Sequence, residues 1–429
     1  MDLFATMPTG VTAIFWGVLT FSILVVIHEG GHFLAARFFG VKVHEFMVGL
    51  PGPALRVRSK KTGIAYGVTA IPLGGYVRIA GMEPGAEDAA LGRALGLLAD
   101  RGRIGPSDLS SELAALGVDH ARATALLTTL EDYGAAEQIV DWPESRSLIE
   151  RAPGESDDEL LSRVRSTVYR GQKPWKRVTI LAMGVLFNLL AAMLIFTVTL
   201  SVWGYDVPST TIATVVKGSA AEKAGIRVGD RVAALGSTPV KEWHDLLTAT
   251  AAHKAGDTVA VSIVREGRTV TVQAVLGKGT SGHGFLGVGP TPVRKRFTVL
   301  AAARESVVWT GMVFVAVGQF FNPSTFAASV GNARSVVGIS YEVAAAVKAG
   351  PINYAWMVAL LSLSLGVMNI LPIPPLDGGK IAVELIEKLA RRPLRREVNY
   401  AFSAIGTVLL FSLIFYLMYA DIVRYIVKG

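Results

Sequence analysis

Four side chains of this 429-residue chain sit at the ends of long apolar runs, where a charge is hard to justify unless it does chemistry. His28, Glu29 and His32 form His-Glu-x-x-His at the inner end of one run, and Asp377 closes another. Ionisable groups at membrane depth cost several kcal/mol by most scales, so they mark a functional site with a partner to be named. On a helix, residues four apart share a face, so His28 and His32 can each aim a ring nitrogen at one metal ion. A catalytic zinc takes about three protein ligands and keeps one position for water, and Asp377 is the natural third ligand. Glu29, next to the first ligand, can take a proton from that water and pass it to the leaving amine of a cleaved peptide. The chain has no cysteine, so a metal must be held by His, Asp or Glu. Two plainer readings compete: a chance match on a surface helix, against which the apolar context weighs, and an N-cap role for Asp377 on a helix over 378–390.

Those residues need scaffolding. At 51% hydrophobic and 18% charged, with mean hydropathy +0.44, the chain is too apolar for an ordinary soluble enzyme. Crossing a bilayer takes roughly 20 mostly apolar residues. The segments 11–27, 178–203, 354–371 and 401–419 qualify, which predicts a polytopic α-helical membrane protein with four transmembrane helices. A fifth apolar stretch, 307–321, is short and ends at Asn322-Pro323, so it is expected to be interfacial or buried. Residues 1–10 lack a basic region and no small-residue cleavage site follows, so the first segment is not read as a cleaved signal peptide. Basic residues crowd 37–61, 170–177 and 380–396, which the positive-inside rule assigns to the cytoplasm. The net charge of +8 is explained that way, and no nucleic-acid partner is expected. At 1.5 Å rise per residue, His28 lies roughly 26 Å into the first helix and Asp377 roughly 34 Å along the third segment, at similar depth.

Around the four residues, Gly30 and Gly31 suggest close approach of another helix, and Asn188 reads as interhelical glue. Asn369, ahead of the helix-breaking Pro372-Ile-Pro374-Pro375, is a candidate for binding substrate backbone. The other five histidines lack ligand spacing and are expected on the surface. Residues 62–71 and 76–79 alternate β-formers between Gly and Pro and predict a membrane-associated β-hairpin whose edge could receive an unwound substrate. The acidic 83–172 stretch has helical periodicity at 91–98, 110–116, 121–130 and 157–168, which predicts a cytoplasmic helical insert. Short β runs fill 209–276. The chain divides as 1–40, first helix; 41–82, hairpin; 83–172, insert; 173–204, second helix; 205–280, an inserted α+β domain; 281–350, linker. It ends with 351–379, third segment; 380–399, cytoplasmic helix and basic loop; and 400–429, fourth helix.

Taken in order, these pieces resemble the site-2 protease family of intramembrane zinc metalloproteases, particularly the bacterial regulator-of-sigma-E type. The matching residues are His28-Glu-Gly-Gly-His32, Gly74-Gly-Tyr-Val-Arg78 with Gly81-Met82, Gly184 to Asn188, and Asn369 through Gly379. Residues 219–232 look like the core of a PDZ domain. The resemblance implies zinc on His28, His32 and Asp377, Glu29 as catalytic base and Asn369 assisting substrate. It implies single-pass membrane substrates such as anti-sigma factors, already trimmed outside by a site-1-type protease and screened by an extracytoplasmic PDZ domain at the inner membrane. Some features depart from the family pattern: a single PDZ unit, Val185 in place of a common Pro, Lys380 where His is frequent, and the 83–172 insert. Two rivals are a PDZ-bearing scaffold without activity and an ion-coupled transporter. Intact Glu29 argues against the first, and the lack of internal repeats against the second.

Overall fold

The computed structural model describes residues 9–82, 88–139, 142–279, 283–391, 394 and 396–427. The chain forms two compact units, Val198–Ala302 and the remainder on either side of it.

In the larger unit, α1 (Thr9–Phe38) runs well past residue 27, because Phe33-Leu-Ala-Ala-Arg37 are good helix formers. The His-Glu-x-x-His motif therefore lies inside the helix. Strands β1 (Val43–Val48), β2 (Ala54–Arg58), β3 (Ala65–Thr69) and β4 (Gly75–Ile79) follow in the order β2-β3-β1-β4. This corrects the expected hairpin: β3 and β4 do not pair with each other but flank β1, parallel and antiparallel respectively, and the hairpin is β2–β3. The crossing depends on turns at Gly49 (φ +104°), where a Cβ would meet Ile71 O at 2.4 Å, and Gly74 (φ +87°). β1 was missed because His44 and Glu45 blur its alternation. His44 is not a plain surface residue either, since its Nε2 donates to Asp132 O at 2.6 Å. β4 is left at the sheet edge.

The insert contains α2 (Leu91–Arg101), β5 (Arg103–Ile104), α3 (Pro106–Glu112), α4 (His120–Asp132), β6 (Ala136–Gln138), β7 (Ser145–Ser147) and α5 (Asp157–Arg165). Its helices follow the periodicity, although α3 starts at Pro106 and 114–116 form a separate 3-10 turn. Its three strands, paired β5-β7-β6, are too short to leave an alternation signal. Leu91, Leu95, Leu98, Leu109, Leu126 and Leu160 build a core of its own.

α6 (Pro174–Val202) leads into the smaller unit, an α+β fold. Its elements are β8 (Tyr205–Val215), α7 (Ala220–Lys223), β9 (Arg231–Leu235), β10 (Thr238–Pro239), α8 (Trp243–Ala251), β11 (Thr258–Arg265), β12 (Arg268–Val275), β13 (Gly277–Lys278), β14 (Gly284–Phe285) and β15 (Val288–Lys295). The main sheet runs β12-β11-β9-β8-β15, with β10 on β9, and β13 and β14 pair separately. Ile212, Val232, Leu235, Val261 and Ile263 point into one core with Trp243 of α8. β15 comes from the stretch divided off as linker, so this unit extends beyond residue 280.

The chain then forms α9 (Val299–Gly318), α10 (Pro323–Asn332), α11 (Val336–Ala349), α12 (Pro351–Asn369), α13 (Asp377–Ala390) and α14 (Arg396–Ile422). Among the described residues five helices are long and apolar enough to cross a membrane, where the sequence suggested four. The fifth is α9, extended by a 3-10 turn to Phe321; Arg304 and Glu305 hid its first turns from a hydropathy reading. Direction follows from contacts. Thr20 Oγ1 lies 3.0 Å from Tyr354 OH and His28 lies against Asp377, so α1 and α12 run parallel. α6 runs against both, with Ile180 at His32 and Asn188 at His28.

Candidate metal centre

α1 presents His28 and His32 one turn apart, and the chain break after α12 brings Asp377 to them. His28 Nε2 and His32 Nε2 lie 2.9 and 3.1 Å from Asp377 Oδ2 and 3.2 Å from each other. The three residues are 7%, 4% and 5% exposed. Asp377 does not cap a helix: α13 begins at Asp377 itself, with Leu376 at the cap position, so the carboxylate is free to face the imidazoles. Glycines allow the approach. A Cβ on Gly378 would meet Ile370 O at 2.2 Å, and one on Gly31 would meet Met183 O at 2.2 Å. The close-approach reading thus holds for Gly31 and fails for Gly30, which has nothing within 4 Å. Gly184 of α6 faces the rings directly, with its missing Cβ 2.4 Å from His32 Nε2.

The ring orientations are set from outside. His32 Nδ1 donates to Ile180 O at 2.8 Å, which leaves the Nε2 lone pair facing the cluster. The Asn188 side-chain amide, fully buried, lies 3.2 Å from His28 Nδ1, and Ser362 Oγ donates to Asn188 O. The amide atom at that distance is Nδ2 and Asn188 Oδ1 has no partner, so a 180° turn of the amide would let Nδ1–H donate to Oδ1 and leave His28 Nε2 with its lone pair toward the cluster. Asn188 does bridge helices, as expected, but its orienting of His28 and the space left by Gly184 were missed. Only the one-turn spacing of the two residues in an apolar run hinted at either.

Glu29 directs Oε2 at the Val77 N–H of β4, 3.1 Å away. Lys380 Nζ stands 3.9 Å from Asp377 Oδ1. Asn369 ends α12 with its Nδ2 donating to Leu365 O, and no described hydrogen bond ties it to the cluster. Beyond Lys380 a cavity of about 150 Å³ is lined by Met82, Tyr169, Arg177, Gly379 and Glu384. Burial pushes the Glu384 carboxyl up, opposed by Arg177 at 2.9 Å.

The donor set fits a zinc ion. Two neutral imidazole nitrogens and a carboxylate oxygen are hard-to-borderline ligands of the kind found in catalytic sites, and Asp377 Oδ2 is a buried atom with no conventional hydrogen bond. Bonds of about 2.0–2.1 Å at tetrahedral angles separate ligand atoms by about 3.3 Å, close to the spacing seen here. These are also the described residues whose ligand atoms come within 4.8 Å of one another as a group.

The model of Peptidase family M50 matches residues 16–413. The chain belongs to this family. Curated relatives are similar along nearly their whole length. A *Staphylococcus aureus* protein with a provisional zinc-metalloprotease name is 28% identical over 440 residues, covering 95% of this chain and 97% of its own. A *Lactococcus lactis* protein with a similar provisional name is 26% identical over 425 residues, with the same coverage. Metalloprotease MmpA of *Caulobacter vibrioides* is 28% identical over 434 residues, covering 94% of each chain. The M50 match contains all three residues of the cluster and its neighbour Glu29.

Proposed function

We propose that the chain is an intramembrane zinc endopeptidase of the site-2 type, hydrolysing peptide bonds in or near the transmembrane helices of single-pass membrane proteins. The observation that carries this reading is the convergence of His28, His32 and Asp377 on one buried point beside Glu29. These three side chains would hold zinc, which polarises the scissile carbonyl and lowers the pKa of a bound water. Glu29 takes a proton from the attacking water and delivers it to the leaving amine.

Its carboxylate meets the outward N–H of Val77 on β4, an edge strand. A substrate segment unwound from its helix and added to that edge would have its peptide groups satisfied and its backbone held beside Glu29. Asn369 at the end of α12 is kept as a substrate-binding residue. The parallel course of α1 and α12 supports four net crossings. The chain leaving α6 and the chain entering α12 must then start from one side, so α9 to α11 dip in and return. By the positive-inside rule the basic flanks support a cytoplasmic insert and a Val198–Ala302 unit, read as a PDZ domain, outside an inner membrane. There the domain would screen anti-sigma-like substrates trimmed by a site-1-type protease.

The test is a membrane-embedded reporter in lipid with the purified protein. Wild type should cleave it, and Glu29→Gln should lose cleavage while keeping zinc. Undiminished cleavage by Glu29→Gln would remove that residue from the mechanism.

A further inference from the structure

No described residue of the 83–172 insert belongs to the ligand cluster, yet the insert is built to a recognisable plan. Its elements run helix, strand, helix, helix, strand, strand, with the strands paired β5-β7-β6. α3 and α4 pack together across the 113–119 turn, and the β6–β7 hairpin follows directly. This is the layout of a winged helix-turn-helix, in which the second helix, here α4, faces the ligand. α4 turns His120, Ala121, Thr124, Ala125 and Thr128 outward, and none of them is a lysine or an arginine.

Binding to nucleic acid draws on Lys and Arg free to meet phosphates. Residues 83–172 contain no lysine, 9 arginines and 17 acidic residues, against 33 basic and 17 acidic in the rest of the chain. Seven of those arginines are tied to carboxylates of the insert itself. Arg122, the cation on α4, is held by both oxygens of Asp88 at 2.7 Å. The insert thus carries a net negative charge, and Trp142 is 63% exposed between β6 and β7, with Leu116 exposed beside α4.

The far end of α4 is fastened to the sheet. Asp132 accepts the Gly81 N–H on its carboxylate at 2.8 Å and His44 Nε2 on its carbonyl. Lys42 Nζ donates to Gly134 O at 2.9 Å, and Tyr169 N–H donates to Ala80 O. Ala80 belongs to the insert's own core. A ligand on α4 is thus held in a fixed relation to β1 and β4, and β4 carries the Val77 N–H that meets Glu29.

We propose that the insert is a docking module for the Lys/Arg-rich segment that flanks a protein substrate's membrane span on the cytoplasmic side. This rests on the reading of the chain as an intramembrane peptidase. Short cytoplasmic segments next to membrane spans are enriched in Lys and Arg. An anionic module fixed beside the active-site sheet has the complementary charge, and it repels DNA. Trp142 offers a face on which an arginine can stack.

The chain lacks cysteine, so Thr124→Cys places a single photo-cross-linker on α4. The cross-link is read on full-length Glu29→Gln protein in lipid nanodiscs, which needs no turnover. The probes are a 12-residue peptide with five Lys or Arg, its serine-substituted counterpart and a 20-base-pair DNA duplex. Expected is at least tenfold more cross-linking of the basic peptide than of the neutral one, loss of that excess in 0.5 M salt, and no competition by the duplex. In the active protein, a reporter with the basic flank should show a KM about fivefold lower than one with a serine flank, at equal kcat. Thr124→Arg should erase the difference by raising the KM of the basic reporter alone. Equal cross-linking of both peptides, or preferential capture of the duplex, overturns the docking proposal. A specific cross-link with neither reporter cleaved refutes the peptidase reading instead.

Discussion

Gly184→Ala adds one methyl group to α6 and aims it at the candidate zinc site. The new Cβ would lie 2.4 Å from His32 Nε2, 2.5 Å from His32 Cε1 and 3.0 Å from His28 Cε1, where ordinary contact begins at 3.4 Å. One ring or one helix must therefore retreat by about 1 Å, and His32 cannot do so while keeping its 2.8 Å bond to Ile180 O. Ligand positions in metal sites tolerate roughly 0.2 Å. Zinc affinity should fall by about 10- to 100-fold, the range seen when ligand-orienting contacts are lost. Cleavage of a membrane reporter should fall by about 100-fold, as for a 1 Å misplacement of reacting groups. The helix itself should not suffer, since alanine is favoured over glycine by about 1 kcal/mol in helix interiors. The assay is zinc retained against a competing chelator, read by elemental mass spectrometry on protein whose circular dichroism and gel-filtration profile match wild type. Gly30→Ala, with nothing within 4 Å, should retain zinc normally and serves as the control. Wild-type zinc affinity in folded Gly184→Ala would refute the reasoning, because His32 could not then occupy the position described.

Asn188→Leu removes the partner of His28 Nδ1, and zinc affinity measured by chelator competition should fall by about 10- to 100-fold. Val77→Pro deletes the edge-strand N–H that meets Glu29, so reporter kcat/KM should fall while zinc content stays the same. In the smaller unit, hydrogen bonds from Arg265 hold the Asp230 carboxyl below its ordinary value of 3.8, against the effect of burial. The folded state then binds fewer protons than the unfolded one, so this stabilisation is complete above the ordinary value and fades as pH falls through the folded value. Protection of the β9 and β11 amides, taken relative to their intrinsic exchange rates, should fall below pH 4 in wild type, with a flatter pH profile in Asp230→Asn.

That His28, His32 and Asp377 cluster was legible because ionisable residues are so rare in apolar runs that type and spacing single them out. Helix rise alone put His28 and Asp377 at similar depth. The sheet was not legible: β1 carries His44 and Glu45, and its insertion between β3 and β4 is a long-range pairing that local alternation cannot reveal. Gly184 and Asn188 act through His32 and His28, so their roles exist only once α6 is packed against α1. α9 was read short because Arg304 and Glu305 interrupt its apolar run. The insert's helices showed in their leucine spacing, while strands of two or three residues left no period to detect.

Zinc K-edge absorption on the purified, zinc-supplied protein in lipid tests the centre most directly. The expected first shell holds two imidazole nitrogens and oxygen from Asp377 and solvent at about 2.0–2.1 Å, at one zinc per chain, and Asp377→Asn should weaken or lose it. A protein that retains no zinc, or a shell without imidazole that is unchanged in Asp377→Asn, would contradict the assignment.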